Sequence, residues 1–251
     1  MFGDEYNIVR HFPEYFLDYR EMLDPTIRWT DRLHSSSGEW SGNLCDFYFR
    51  VYNKIIKDVK VPFAMEGGDR VDDTSVHKAI REAIANCLIN ADYYGTRGVV
   101  IKKETDRLIL ENPGYIRTGK VQMRKGGESD PRNKSLMKMF NLINIGERSG
   151  SGVPNIFNTW EDQGWKEPVI EERFDPDRTI LSLEFIKKQA IKTAQNKEKI
   201  RNFLIENGLS KTSDIADYLD LSPARTRAIL SEMEEIEFVG ENRNRKYRIR
   251  Q

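Results

Sequence analysis

Between Val76 and Leu88 apolar residues recur at helical spacing (Val76, Ile80, Ala83, Ile84, Cys87, Leu88), and Asp73, Thr74 or Ser75 can cap the helix they imply. No other stretch restricts the fold as much, because so wide an apolar side must be covered by other elements. On the opposite side Glu82 and Asn86 stand four residues apart, with Asn90 one turn further on. A carboxylate that polarises water beside an amide that ligands magnesium makes a usable hydrolytic pair. The same residues on an outer helix face are equally satisfied by solvent, so the helix alone leaves both readings open.

The segments C-terminal to the helix can supply its cover. Val99–Lys103 and Leu108–Glu111 read as a hairpin turning at Thr105 and Asp106. Asn112-Pro113-Gly114 ends it, and a polar loop with Arg124, Lys125, Gly126 and Gly127 leads to a helix near 133–143. Gly146–Gly152 is small and polar and opens another helix near Val153; strands close the block near Val169–Phe174 and Thr179–Phe185. Trp160 and Trp165 are placed to pack a helix end on the sheet. Before the central helix, strands are predicted around Tyr15–Tyr19 and Ile27–Leu33, and a helix over about 43–56. The alternation implies an α+β fold, a helix layer on a mixed sheet.

Lys+Arg and Asp+Glu are equal at 40 each, so any surface for a polyanion must come from local clustering. No apolar run is long enough to span a bilayer and no leader is visible, which gives a soluble, cytoplasmic expectation without membrane partners. Cys45 and Cys87 lack metal spacing and read as buried free thiols. His11, His34 and His77 have no neighbouring acid or thiol pattern, so neither a triad nor a metal site is predicted from them.

Residues 196–251 carry a second set of agreeing signals. Ile200, Phe203 and Leu204 mark one helix face ending at Gly208; a second helix covers about Ser213–Leu219. Ser222 then caps and Pro223 begins a third helix, whose buried stripe is read as Ile229, Met233 and Ile236. Phe238-Val239, a turn at 240–244 and Lys246–Arg250 alternate as a hairpin with Tyr247 and Ile249 inward. This is the pattern of a winged helix-turn-helix domain. Arg225, Arg227 and Ser231, with Ser222 at the helix start and Arg245, Lys246 and Arg248 on the wing, are the expected DNA contacts. The run Glu232, Glu234, Glu235, Glu237 opposes that reading if it lies near phosphates; a protein-contact or dimerisation module is the alternative. Lys187–Lys199 is a linker or an exposed helix start.

The order of parts in the larger block resembles the GHKL ATPase superfamily of gyrase, heat-shock chaperone, histidine kinase and mismatch-repair ATPases. It is closest to the RecG-helicase-like C-terminal branch. The resemblance covers roughly residues 60–185 and rests on REAIANCLINADY, on Asn112-Pro113-Gly114, on Asp130-Pro131-Arg132-Asn133, and on Glu147-Arg148-Ser149-Gly150-Ser151-Gly152. It implies a GHKL-like α/β sandwich with Glu82 as general base and Asn86 as magnesium ligand. Asn90 would support the metal or close the helix, as would Asp92. Asn112 and Gly114 would lie at the adenine, and Gly150 and Gly152 at the phosphates. Asn112 stands where the family has an aspartate and Ile116 where a glycine is expected, so ATP and Mg2+ binding with weak or absent hydrolysis is implied.

That branch is commonly preceded by a Schlafen/AlbA-type domain and followed by a winged helix in transcriptional regulators. MFG and FPEYFLDYRE resemble the tail of the preceding domain, as in a piece of a longer protein. The expected organisation is a lead-in over 1–60, a GHKL-like domain over 61–186 and a winged helix-turn-helix over 187–251. The function expected is a DNA-binding transcriptional regulator with a divergent ATP-binding domain. The alternatives are a Mg-dependent ATPase and a non-catalytic scaffold that forms a homodimer. No Walker-type phosphate loop is present, so helicase activity does not follow from the family name.

Overall fold

Along Val99–Glu104 burial alternates at every step, as a strand requires when one face lies under helices. The computed structural model describes residues 2–57, 59, 64–66, 69–71, 73–146, 150–241 and 245–250, and the chain divides into two compact units, 1–185 and 186–251. In the first unit the order is α1 (Glu5–Val9), β1 (Leu17–Met22), β2 (Asp31–His34), α2 (Leu44–Ile56), β3 (Ala64–Glu66), β4 (Asp69–Val71), α3 (Ser75–Ile89), β5 (Val99–Glu104), β6 (Arg107–Pro113), α4 (Lys120–Lys125), α5 (Lys134–Leu142), α6 (Gly152–Asp162), β7 (Val169–Arg173) and β8 (Arg178–Glu184).

Six strands form one mixed sheet in the order β2-β1-β5-β6-β8-β7, with β1 and β5 parallel and the other neighbours antiparallel. The strand from the first twenty-odd residues therefore pairs directly with the hairpin that comes after α3. The strand predicted from Ile27 begins only at Asp31, because Ile27–Thr30 belongs to the turn between β1 and β2. Over the sheet, α2 contributes Leu44, Phe47, Tyr48, Val51 and Ile55 to a core shared with α3, whose Thr74 cap is completed by His77: its Nδ1 accepts the Thr74 N–H at 3.3 Å. Trp160 is fully buried and donates to the Glu184 carbonyl at 2.8 Å, which ties α6 to β8. Cys87 is buried as expected; Cys45 is half-buried.

The other sheet face is braced by charge. Glu111 accepts from Lys102 at 2.5 Å and Arg178 at 2.9 Å, across three neighbouring strands. Asp18 is fully buried between Arg20, at 2.5 Å, and Arg32, at 2.8 Å. Burial alone would raise the Asp18 carboxyl, but hydrogen bonds from Arg32 and Arg20 outweigh it and hold the group below its ordinary range.

The second unit contains α7 (Lys188–Asn207), β9 (Ser210–Lys211), α8 (Thr212–Leu219), α9 (Pro223–Ser231), β10 (Ile236–Val239) and β11 (Lys246–Ile249), the strands ordered β10-β11-β9. Residues 188–199 are the start of α7. Its core joins Ile200 and Leu204 to Ile215, Ile229, Leu230 and Tyr247. The third helix is shorter than its apolar pattern predicts. Glu232 and Met233 bond back three residues, to Ile229 and Leu230, and this tightening ends α9, so Met233 reaches the core from the turn and Ile236 from β10. Among the described residues no helix is long and apolar enough to cross a membrane.

Asp18→Asn leaves two guanidinium groups around a neutral side chain. A loss of roughly 3 kcal/mol is expected at neutral pH in denaturant unfolding. Because the folded carboxyl titrates below its unfolded value, the difference between wild type and variant should be full above pH ~4 and shrink as pH falls through the folded pKa. A difference independent of pH would rule out the charged pair as its source.

Candidate functional site

Glu82, Asn86 and Asn90 border a cleft rather than an outer helix surface. All three are half-buried, and the cleft, open to solvent, lies between α3, α6, the β6–β8–β7 part of the sheet and the segment 115–132. Asn86 Nδ2 donates to Glu82 Oε1 at 3.1 Å, as the four-residue spacing requires. Asn90 has a different task. Its Nδ2 donates to the Asn86 carbonyl and its Oδ1 accepts the Arg132 N–H at 3.3 Å, so it clips the end of α3 to the loop.

The second wall is the start of α6. Gly150 has a φ of +68°, a region that favours glycine, and lies against the Glu128 backbone. Gly152 is the first residue of α6 and is buried so closely on Glu82 that an added Cβ would overlap the carboxylate. Both glycines line the cleft; Glu147, Arg148 and Ser149, which belong to the same motif, lie outside the described residues.

The third wall comes from strand register. Leu110 pairs with Leu181, which pairs with Ile170, and one pleat further on Asn112 pairs with Thr179. Every one of these five side chains borders the cleft. The sheet thus offers an apolar row beside a polar edge. Asn112 is 6% exposed, and Thr179 Oγ1 donates to the Gly114 carbonyl at 2.8 Å. Gly114 itself does not border the cleft. Its φ of +96° and missing side chain make room for the Arg132 guanidinium, which donates to the carbonyls of Asn90 at 3.2 Å and Tyr115 at 3.0 Å. Arg132 is therefore a cross-brace.

Segment 115–132 is held by a set of polar ties. Glu172 accepts the Ile116 N–H at 2.9 Å, Arg117 pairs with Asp130 at 2.9 Å, and Arg124 pairs with Glu167. Neither Glu172 nor Thr179 stands out in the sequence, because only strand register brings them beside Asn112.

In the second unit Ser222 accepts the Arg225 N–H and so caps α9, and Arg225 is turned to Thr193 Oγ1 at 2.9 Å. Arg227 is exposed, while Ser231 donates to its own helix at the Ala228 carbonyl. On the strand pair Arg245 covers the Phe238 ring at 4.2 Å and Arg248 is paired with Glu237 at 2.6 Å. Lys246 stands directly opposite Lys211 on β9, and neither makes an ion pair among the described residues. The acidic run is largely matched: Glu232 by Lys197 at 3.0 Å, Glu235 by Arg201 at 2.7 Å, and Glu237 by Arg248. Three of the turn residues, 242–244, lie outside the described residues.

Residues 97–180 match a family described as "Putative ATP-dependent DNA helicase recG C-terminal". The matched segment runs from just before β5 into β8, and so includes Asn112, Gly150 and Gly152 but not the helix with Glu82 and Asn86. Among solved structures the chain is similar to the DIP2311 protein from Corynebacterium diphtheriae, with a TM-score of 0.53 and 14% identity over 93% of this chain and 51% of that one. The likeness is one of fold, and the chain spans about half of that protein's length. No curated protein matches the chain.

The glycines differ in what a side chain would meet. At Gly98 a Cβ would strike the Phe16 carbonyl, which is fixed in the backbone, whereas at Gly152 it would strike the end of a flexible glutamate. Gly98→Ala should therefore lose about 2 kcal/mol or more, and Gly152→Ala under about 1 kcal/mol, the glutamate swinging aside. Thermal unfolding of the two variants compares them; equal losses would mean that Glu82 cannot leave its position.

Proposed function

We propose that the chain is a nucleotide-responsive DNA-binding regulator, taking ATP with magnesium in the cleft of the first unit and duplex DNA on the second. The observation that carries the nucleotide reading is convergence: Glu82, Asn86, Asn112, Gly150 and Gly152, spread over seventy residues, border one cleft. Its apolar row suits a flat base and its polar end suits phosphates. The start of α6, an eleven-residue helix, would meet the phosphate charge with its N–H groups, and the side-chain-free Gly150 and Gly152 permit close approach. Asn86 would hold magnesium through its amide oxygen together with nucleotide oxygens. No group of three or more His, Cys, Asp or Glu among the described residues would bind it alone. The residues present thus fit a metal that arrives with the nucleotide, which supplies charge neutralisation between phosphate and Glu82.

Among the described residues Glu82 is the carboxylate that lies beside both Asn86 and the start of α6, and in the ATPase reading it accepts a proton from the attacking water. Held against Gly152, it also places negative charge where phosphates would lie. Glu82→Gln should abolish any phosphate release and at the same time tighten ATP binding in chelator by roughly tenfold or less, the scale of one screened charge contact. Calorimetry with and without magnesium, beside a phosphate-release assay, reads both. Unchanged turnover would remove Glu82 as base.

The second unit supports a winged helix-turn-helix: α8 and α9 are joined by a tight turn at Asp220, and β10–β11 form a wing completed by β9. Like charges placed directly opposite in a sheet destabilise it, and a polyanion across Lys211 and Lys246 would relieve that cost. The DNA contacts favoured are accordingly Arg227, Arg245, Lys246 and Lys211; Arg248 and Arg225 are already engaged. Lys211→Ala/Lys246→Ala should weaken duplex binding and reduce the salt slope by about two, while Arg248→Ala changes the slope little. If the Arg248 variant lost as much as the double lysine variant, the proposed contact surface would be wrong.

A further inference from the structure

We propose that Lys78 is the side chain that meets the last phosphate of a nucleoside triphosphate, so that the chain tells ATP from ADP by one charge supplied from outside the cleft. The proposal rests on the nucleotide reading above. It adds to that reading the residue that senses how many phosphates are bound.

Behind the cleft runs a second, polar furrow between α3 and α6. Ser75, Lys78 and Glu82 border it on α3, spaced so that they share one helix face, and Asn155, Asn158 and Asp162 border it on α6. The furrow and the cleft have Glu82 and Gly152 in common, where the carboxylate lies against the start of α6. A group held at that helix start therefore stands at the junction of the two spaces. On one side of it is the cleft with its apolar sheet wall, and on the other is Lys78.

The cleft itself is short of uncommitted positive charge. Among the described residues Arg117 and Arg132 are the cations that border it. Arg117 is paired with Asp130 at 2.9 Å, and Arg132 is spent on the Asn90 and Tyr115 carbonyls. Glu82 and Glu128 add negative charge to the same walls. A triphosphate stays anionic even with magnesium bound, and an anion brought into such surroundings needs a cation that is not already engaged.

Lys78 meets that need. It is exposed and makes no ion pair among the described residues; Asp73, the carboxylate whose charge it feels, is bonded by Arg81 at 2.7 Å. It precedes Glu82 by four positions on α3, and its flexible four-carbon stem is long enough to cover one helical turn, about 5.4 Å. Helical side chains lean toward the N-terminus, so Lys78 is not drawn onto Glu82 by the helix itself and is left for an anion at the junction. Asp162 does not compete there, because Gly152 and Asp162 are the two ends of α6, about 15 Å apart along its axis. With a base on the sheet wall, the phosphate chain runs toward the start of α6. Its last member reaches the junction, whereas a diphosphate ends inside the cleft.

The test titrates the whole chain with ATP and with ADP, both with magnesium, by calorimetry. Wild type should prefer ATP by roughly tenfold, the scale of one charge-assisted hydrogen bond. Lys78→Gln keeps most of the stem and removes the charge; it should bring ATP to within about twofold of ADP while leaving ADP unchanged, and Lys78→Arg should restore the preference. Added salt should narrow the gap in wild type and not in Lys78→Gln. A merely structural role for Lys78 would weaken both nucleotides alike. Equal weakening, an ATP preference that survives Lys78→Gln, or a wild type that binds the two equally would each overturn the proposal and leave the cleft as a nucleotide site. Binding of neither nucleotide by wild type would overturn the nucleotide reading as well.

Discussion

The first unit depends on how closely two helices approach. Where α6 begins, Gly152 leaves no atom between its backbone and the Glu82 carboxylate on α3. That contact places a helix start, a carboxylate and an amide within one turn of each other. The rest of the cleft is arranged around it: the sheet lies beneath α3, and segment 115–132 is tied across by Glu172, Glu167 and Asn90. An alanine at 152 displaces the Glu82 carboxylate from the site before it alters the fold, since the atom it meets can move.

Charge in this chain is abundant, and among the described residues part of it is consumed by internal ion pairs. With 40 acidic and 40 basic residues, the basic side chains that matter for a partner are the ones left over once internal pairs are made. Arg20 and Arg32 hold a buried aspartate, Lys102 and Arg178 hold Glu111, and Arg248 holds Glu237. These pairs lock strands together. The lysines at 211 and 246 are different, because the antiparallel register sets them face to face. A surface that would repel itself is a better indication of an anionic partner than a count of cations along a strand.

Much of the fold is legible in local pattern. The helix over 75–89, the hairpin after it, the cap at Ser222 and the break at Asp220 all result from periodicity and from side chains that satisfy their own backbone. Where the pattern misleads, a local bond competes with it. The stripe Ile229, Met233, Ile236 looks helical, but the chain closes α9 at Ser231 with shorter-range bonds and delivers the last two residues by another route. Gly114 and Arg132 resemble ligand contacts because they belong to recognisable motifs. Their geometry shows them bracing each other.

By itself the sequence determined which residues share a helix face, since that depends on neighbours within a few residues. It could not decide that Glu82, Asn112 and Gly152 border one space, that Thr179 stands beside Asn112, or that Lys211 meets Lys246. Those relations are set by strand order and register, and register is fixed by burial and hydrogen bonding between segments far apart in the chain. The chemistry of each residue was present from the start, and only the tertiary structure gave it neighbours.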